Sequence, residues 1–168
     1  MKINTKHNKE NYNARKTFYG QFNEKEYVIL MKKIEKSLDI SINKSQNVLI
    51  NFKQNGSNCI LAGIESNRIS KVFTRIEEIS EEVTKSFSTQ NLLVYAKDSY
   101  FIEFLSDRKK WIQDSGFINE EIFKLKESCS AFFLIKPSGE FCLYYGGDYF
   151  SFVKNRLEAK DWSDKKSY

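Results

Sequence analysis

The sequence predicts an α/β domain in which helices flank a central mixed sheet. Two runs, residues 47–53 and 92–96, are almost continuously apolar and rich in β-formers, and a strongly amphipathic segment over 67–86 lies between them. Strands covered on both faces need no polar alternation, so two of them joined by one long helix read as a parallel, right-handed βαβ crossover. Towards the C-terminus two further β-rich runs flank Pro137, Ser138 and Gly139. Proline pre-sets one turn torsion and glycine accepts positive φ, so this pair reads as an antiparallel hairpin.

Taken in order, residues 1–17 are polar and unpatterned, and residues 1–21 are expected to form a basic arm ahead of the folded domain. Asn23 with Glu26 three positions on is a capping-box arrangement. Tyr27, Leu30, Met31, Ile34 and Leu38 then line one face of a helix over 24–38. Asn47 to Lys53 has the length and composition of a buried strand. Asn55-Gly56 follows, and two continuations are open there. The chain either leaves through a loop to the next helix, or doubles back as a hairpin into Asn58 to Ile64, which would give an α+β fold with an antiparallel sheet.

Ile69, Val72, Phe73, Ile76, Ile79 and Val83 define the single apolar stripe of the 67–86 helix, with Ser66 or Asn67 as its cap. After the strand at 92–96, residues 99–127 read as helical but interrupted. One piece carries Phe101, Phe104, Leu105 and Ile112 with Trp111 beside them, Gly116 breaks it, and a second piece capped by Asn119 carries Ile122, Phe123 and Leu125. Strands at 131–136 and 141–145 enclose the proline turn. Gly146-Gly147 ends the second, and Asp148 caps a final helix with Tyr149, Phe150, Val153 and Leu157 inward. The folded domain is expected over 22–158, with a polar tail over 159–168.

A chain of 168 residues is one domain of ordinary size, and 14 Phe with 9 Tyr argue for a packed interior. The net charge of +5 sits at the ends: Lys2, Lys6, Lys9, Arg15 and Lys16 face only Glu10, and the last 15 residues add a smaller excess. Basic ends on a near-neutral body read as solvated arms rather than a nucleic-acid surface, because the aromatic interleaving of a single-strand groove is missing. No apolar run approaches the about 20 residues of a membrane span. The sequence as written reads as cytoplasmic, or as exported if Met1 stands where a signal was removed.

Most catalytic chemistry lacks its residues. His7, the one histidine, falls in the arm, so neither a zinc ligand set nor a histidine base for Ser or Cys catalysis is available. No phosphate loop or dinucleotide fingerprint appears, and no cofactor is expected. Tyr95, Tyr144, Tyr145 and Tyr149 are read as packing ahead of a surface for a protein partner. Glu77, Glu78, Glu81 and Glu82 are read as a solvated helix face. Cys59, Cys129 and Cys142 are too few for a disulfide scaffold and form no C-x-x-C.

The series helix, strand, long helix, strand, helix, strand, hairpin partner, helix over residues 22–158 resembles the thioredoxin-like fold, a βαβ half followed by a ββα half. Val48 to Phe52 is similar to the strand leading into that superfamily's active-site loop. Phe133 to Glu140 is similar to the fourth strand and turn of its peroxiredoxin and TlpA-type branch. The departures are two: Gly56-Ser57-Asn58-Cys59 offers one thiol where the family has C-x-x-C, and Ser130, preceded by Cys129, stands where the family has its cis-proline. The resemblance implies that Cys59 and Cys129 are neighbours, able to form a disulfide if their Cα atoms lie within about 7 Å. It also implies a Cys59 thiolate favoured by the dipole of the 67–86 helix. The function it suggests is a noncanonical thiol-disulfide centre at Cys59 and Cys129. The rival is a noncatalytic binding or immunity-type protein that keeps the fold as a scaffold, with the cysteines as inert packing or a simple bridge. Cys142, inside an apolar strand, is read as core.

Overall fold

The computed structural model describes residues 16–59, 61–147 and 149–159. Its sheet is built from β1 (Lys16–Gln21), β2 (Asn47–Lys53), β3 (Thr89–Tyr95), β4 (Trp111–Gln113), β5 (Ser130–Ile135) and β6 (Glu140–Tyr145), in the order β1-β6-β5-β2-β3-β4. The helices are α1 (Glu24–Leu38), α2 (Ser66–Phe87), the single turn α3 (Ile102–Leu105) and α4 (Tyr149–Glu158), with a π-helical turn over Ile118–Ile122. The molecule is a mixed α/β protein.

β2 and β3 run parallel from Asn47↔Thr89 to Lys53↔Tyr95, with α2 as the connection between them. On its other side β2 is antiparallel to β5, which is antiparallel to β6. The hairpin expected as an alternative at Asn55-Gly56 is therefore corrected: the chain leaves β2 in a loop, and no strand forms over the described residues of 58–64. The cause is visible at Gly56, which is pressed on the backbone before β5. A Cβ there would lie 2.5 Å from the Ser128 carbonyl carbon and 2.8 Å from the Cys129 nitrogen.

α1 starts where the capping box places it. The Asn23 side chain accepts from the Glu26 N–H at 3.0 Å, and the Glu26 carboxylate accepts from the Asn23 N–H at 3.1 Å. Its apolar stripe, Leu30, Met31 and Ile34, is fully buried on Val48, Ile50, Phe52 and Phe133. Each such side chain contributes about 1.5–3 kcal/mol through burial. α2 starts at Ser66 with Glu65 at the cap position and no side-chain cap bond, so neither Ser66 nor Asn67 caps it. Its stripe rather than its end holds it: Ile69, Phe73 and Ile76 pack on Leu93, Tyr95 and Trp111.

Three expectations are revised. The arm ends early, because Lys16–Gln21 is β1, with Phe18 opposite Leu143 and Tyr19 opposite Cys142; residues 1–15, including His7, lie outside the described residues. Residues 99–127 hold little helix. Trp111–Gln113 instead pairs as β4 with Leu93–Tyr95, and the Trp111 ring packs edge-on at 5.5 Å from Phe73. Asp114, not Asn119, ties the turn that follows, accepting from the Ile118 and Asn119 N–H groups at 3.2 and 2.8 Å. The expected cap Asp148 and the tail over 160–168 lie outside the described residues.

Candidate functional site: a disulfide beside a buried lysine

The C-terminal ends of β2 and β3 point towards the loop over 54–65. That loop is laid against the segment before β5 by three backbone hydrogen bonds: Gln54 N–H to the Cys129 carbonyl at 3.1 Å, Ser57 N–H to Lys126 at 2.9 Å and Asn58 N–H to Glu127 at 2.7 Å. The Gln54 side-chain amide adds bonds to the Leu125 and Ser128 carbonyls at 2.7 and 2.9 Å. Lys126 closes the junction from the other side, donating to the Gln54 Oε1 at 2.9 Å and the Phe123 carbonyl at 2.9 Å. Polar backbone in a loop needs such partners when it is covered.

This ladder brings Cys59 to Cys129, and the two are joined as a disulfide with Cα atoms 4.9 Å apart across 70 residues of sequence. The neighbourhood that the resemblance implies is therefore present. The two sulfurs are unequal. Cys129 is fully buried among Phe73, Tyr95 and Phe101, whereas Cys59 is only partly buried, in an exposed loop. A thiolate from outside reaches Cys59 first, and Cys129 is then the leaving sulfur. The α2 dipole does not favour a Cys59 thiolate as the resemblance implies, since α2 begins at Ser66 and Cys59 belongs to the loop ahead of its first turn.

No family model, curated protein or solved structure matches this chain. The chemistry of the site therefore rests on its own geometry, and one more residue belongs to it. Lys53, the last residue of β2, is 3% exposed, and its ammonium donates to the Ser130 Oγ at 2.8 Å. Burial alone pushes this amine down to about 7. Sequence reasoning missed Lys53. The signal was present in the alternation Leu49, Asn51, Lys53, which puts two polar side chains on one face of a strand read as buried on both.

The other candidates fall outside the site. Cys142 is buried and free, and burial pushes its thiol up to about 12, where it is no nucleophile at neutral pH. Tyr95, Tyr144 and Tyr145 are buried packing residues. The glutamate group is not a solvated face throughout: Glu77 holds Arg108 at 2.9 Å and the Trp111 indole N–H at 3.0 Å, and Glu81 pairs with Lys110. These contacts fasten the β4 edge to α2. Among the described residues no group of three or more His, Cys, Asp or Glu side chains is placed to hold a metal ion. No helix among them is long and apolar enough to cross a membrane.

Proposed function

We propose that this chain is a degenerate thioredoxin-like protein whose Cys59–Cys129 disulfide exchanges with external thiols. The fold reading is supported by the parallel β2-α2-β3 unit followed by the antiparallel β5-β6 pair and α4, the series of that superfamily. The activity rests on one observation. The segments carrying the two sulfurs are joined by backbone hydrogen bonds in addition to the disulfide. On this reading those bonds hold Cys59 and Cys129 close enough, once the disulfide opens, for it to close again, which a reversible exchange centre requires. A persistent bond of this kind also points to an oxidising compartment, since cytosolic thiols are kept reduced.

The test is reduction of the native protein by dithiothreitol, followed by alkylation and mass spectrometry alongside near-ultraviolet circular dichroism. An exchange centre gains two alkylated cysteines, Cys59 and Cys129, while the dichroism of the packed aromatics is unchanged. If the disulfide opens only in denaturant, it is a structural staple and the protein is a binding scaffold.

A further inference from the structure

The exchange reading leaves Lys53 without a task, and the following rests on that reading. We propose that Lys53 is the built-in counter-ion of the Cys129 thiolate that is released when the disulfide opens.

Register and burial carry this assignment. Lys53 pairs across the β2–β5 ladder with Ser130, the residue that follows Cys129, and the next residue, Gln54, is bonded through its N–H to the Cys129 carbonyl. Cys129 in turn shares a buried cluster with Tyr95, the register partner of Lys53 on β3, so the end of β2 that bears the amine lies at the same end of the sheet as the leaving sulfur. Among the described residues Lys53 forms no ion pair, and the Ser130 hydroxyl is its hydrogen-bond partner. A buried cation with no anion is costly, and proteins rarely keep one without use.

Among the described residues no carboxylate is paired with the Lys53 amine: buried Asp114, after β4, is bonded by the Ser37 hydroxyl and the Ile118 and Asn119 N–H groups, and Glu127, ahead of β5, is only partly buried. β3 contributes Tyr95, its register partner, and beyond β3 lies the exposed Asp98. α2 turns Ile69, Phe73 and Ile76 inward, while its Glu77 is engaged by Arg108 and Trp111. On α4, Arg156 lies over Tyr19 and Phe152, and ahead of β5 Lys126 is bonded to Gln54. The disulfide itself is neutral. Cleaving it creates a negative charge on the residue that precedes Ser130, the partner of the amine. A nucleophile–base pair of Ser130 with Lys53 is disfavoured, because both are buried, at 5% and 3% exposure, and neither lines the grooves beside α2.

The step balances with a dithiol as reductant. One thiolate of the dithiol attacks the Cys59 sulfur, the S–S bond breaks, and its electron pair leaves on Cys129. The second thiolate of the reductant then displaces Cys59, forming the cyclic disulfide. The reductant is oxidised by two electrons and gives up two protons. One ends on the Cys59 thiol; the other ends on Lys53 where the amine was neutral, and goes to solvent where it was already charged. Cys129 remains a thiolate paired with the Lys53 ammonium.

This proton count gives the experiment its readout. The equilibrium constant of the native protein with dithiothreitol is measured from about pH 5 to 8 for the wild type and for Lys53→Met. In the wild type one proton is released below the Lys53 titration near 7, so the constant rises about tenfold per pH unit from pH 5 to 7 and levels off above it. In Lys53→Met both thiols are protonated on reduction and the constant is flat. As a second measurement, the reduced wild type at about pH 6 carries one thiolate by ultraviolet absorbance, and the variant none. A wild-type constant that is flat over this range overturns the assignment while leaving exchange intact, and needs no variant that folds. A disulfide that cannot be opened in the native protein at any pH overturns both.

Discussion

The sheet face under α1 is apolar throughout its centre, with Val48, Ile50, Phe52, Ala131, Phe133 and Ile135 buried, whereas the face under α2 interrupts its apolar side chains with Asn51, Lys53 and Ser130. Both faces belong to the same central strands, so strand alternation alone sorts the two sets. On the α2 side Asn51 Nδ2 and Ser80 Oγ are buried with no hydrogen-bond partner among the described residues. Such groups cost about 1–3 kcal/mol each. The α1 face is filled by apolar side chains, whereas the α2 face gives up stability to hold buried polar groups. Departures from local optimum of this kind are concentrated where a protein acts.

The contrast is broken most strongly on the apolar side. Phe52 is fully buried and stacked on Phe123 with centroids 4.6 Å apart, so Phe52→Ala is expected to cost about 3–5 kcal/mol in urea unfolding. On the polar side the sign reverses. The folded state binds Lys53's proton less well than the unfolded chain, so the penalty is full below about pH 7 and fades as pH rises towards the ordinary lysine range. With each pKa unit worth about 1.4 kcal/mol, Lys53→Met is expected to stabilise the protein by on the order of a few kcal/mol near pH 6 and by progressively less towards pH 10. A gain that does not shrink with pH would show that packing, not charge, is responsible.

Two smaller effects sharpen the same comparison. Gly56→Ala places a methyl against the Ser128 and Cys129 backbone and is expected to cost about 1–3 kcal/mol. It also speeds reduction of the disulfide by loosening the loop ladder, as measured by alkylation rate. Asn23→Ala removes the cap of α1 far from the site. It is expected to cost about 1 kcal/mol in thermal or urea unfolding and to leave the reduction equilibrium unchanged.

Legibility followed the range of the interactions. Helix α1 was readable because its cap partners are three residues apart, and α2 because its stripe repeats every turn. The proline turn between β5 and β6 was readable for the same reason: Gly139 takes φ +88, as a turn glycine would. β4 was not, since Trp111–Gln113 becomes a strand only by pairing with β3 and packing Trp111 on Phe73. β1 was not, because its six residues carry few apolar side chains and are ordered by β6. Of the candidate site, both cysteines were named and their proximity followed only from the resemblance, while Lys53 was overlooked.

The sequence by itself determined the two buried strands, the amphipathic helix between them, the hairpin and the absence of a C-x-x-C motif, because each depends on spacing within a few residues. Tertiary structure alone decided that the chain leaves β2 in a loop at Gly56, that Cys59 meets Cys129, and that Lys53 is enclosed without an acidic partner among the described residues. These outcomes depend on groups 70 or more residues apart, whose encounter is set by the packing of the sheet and the depth of water exclusion. No local pattern encodes either.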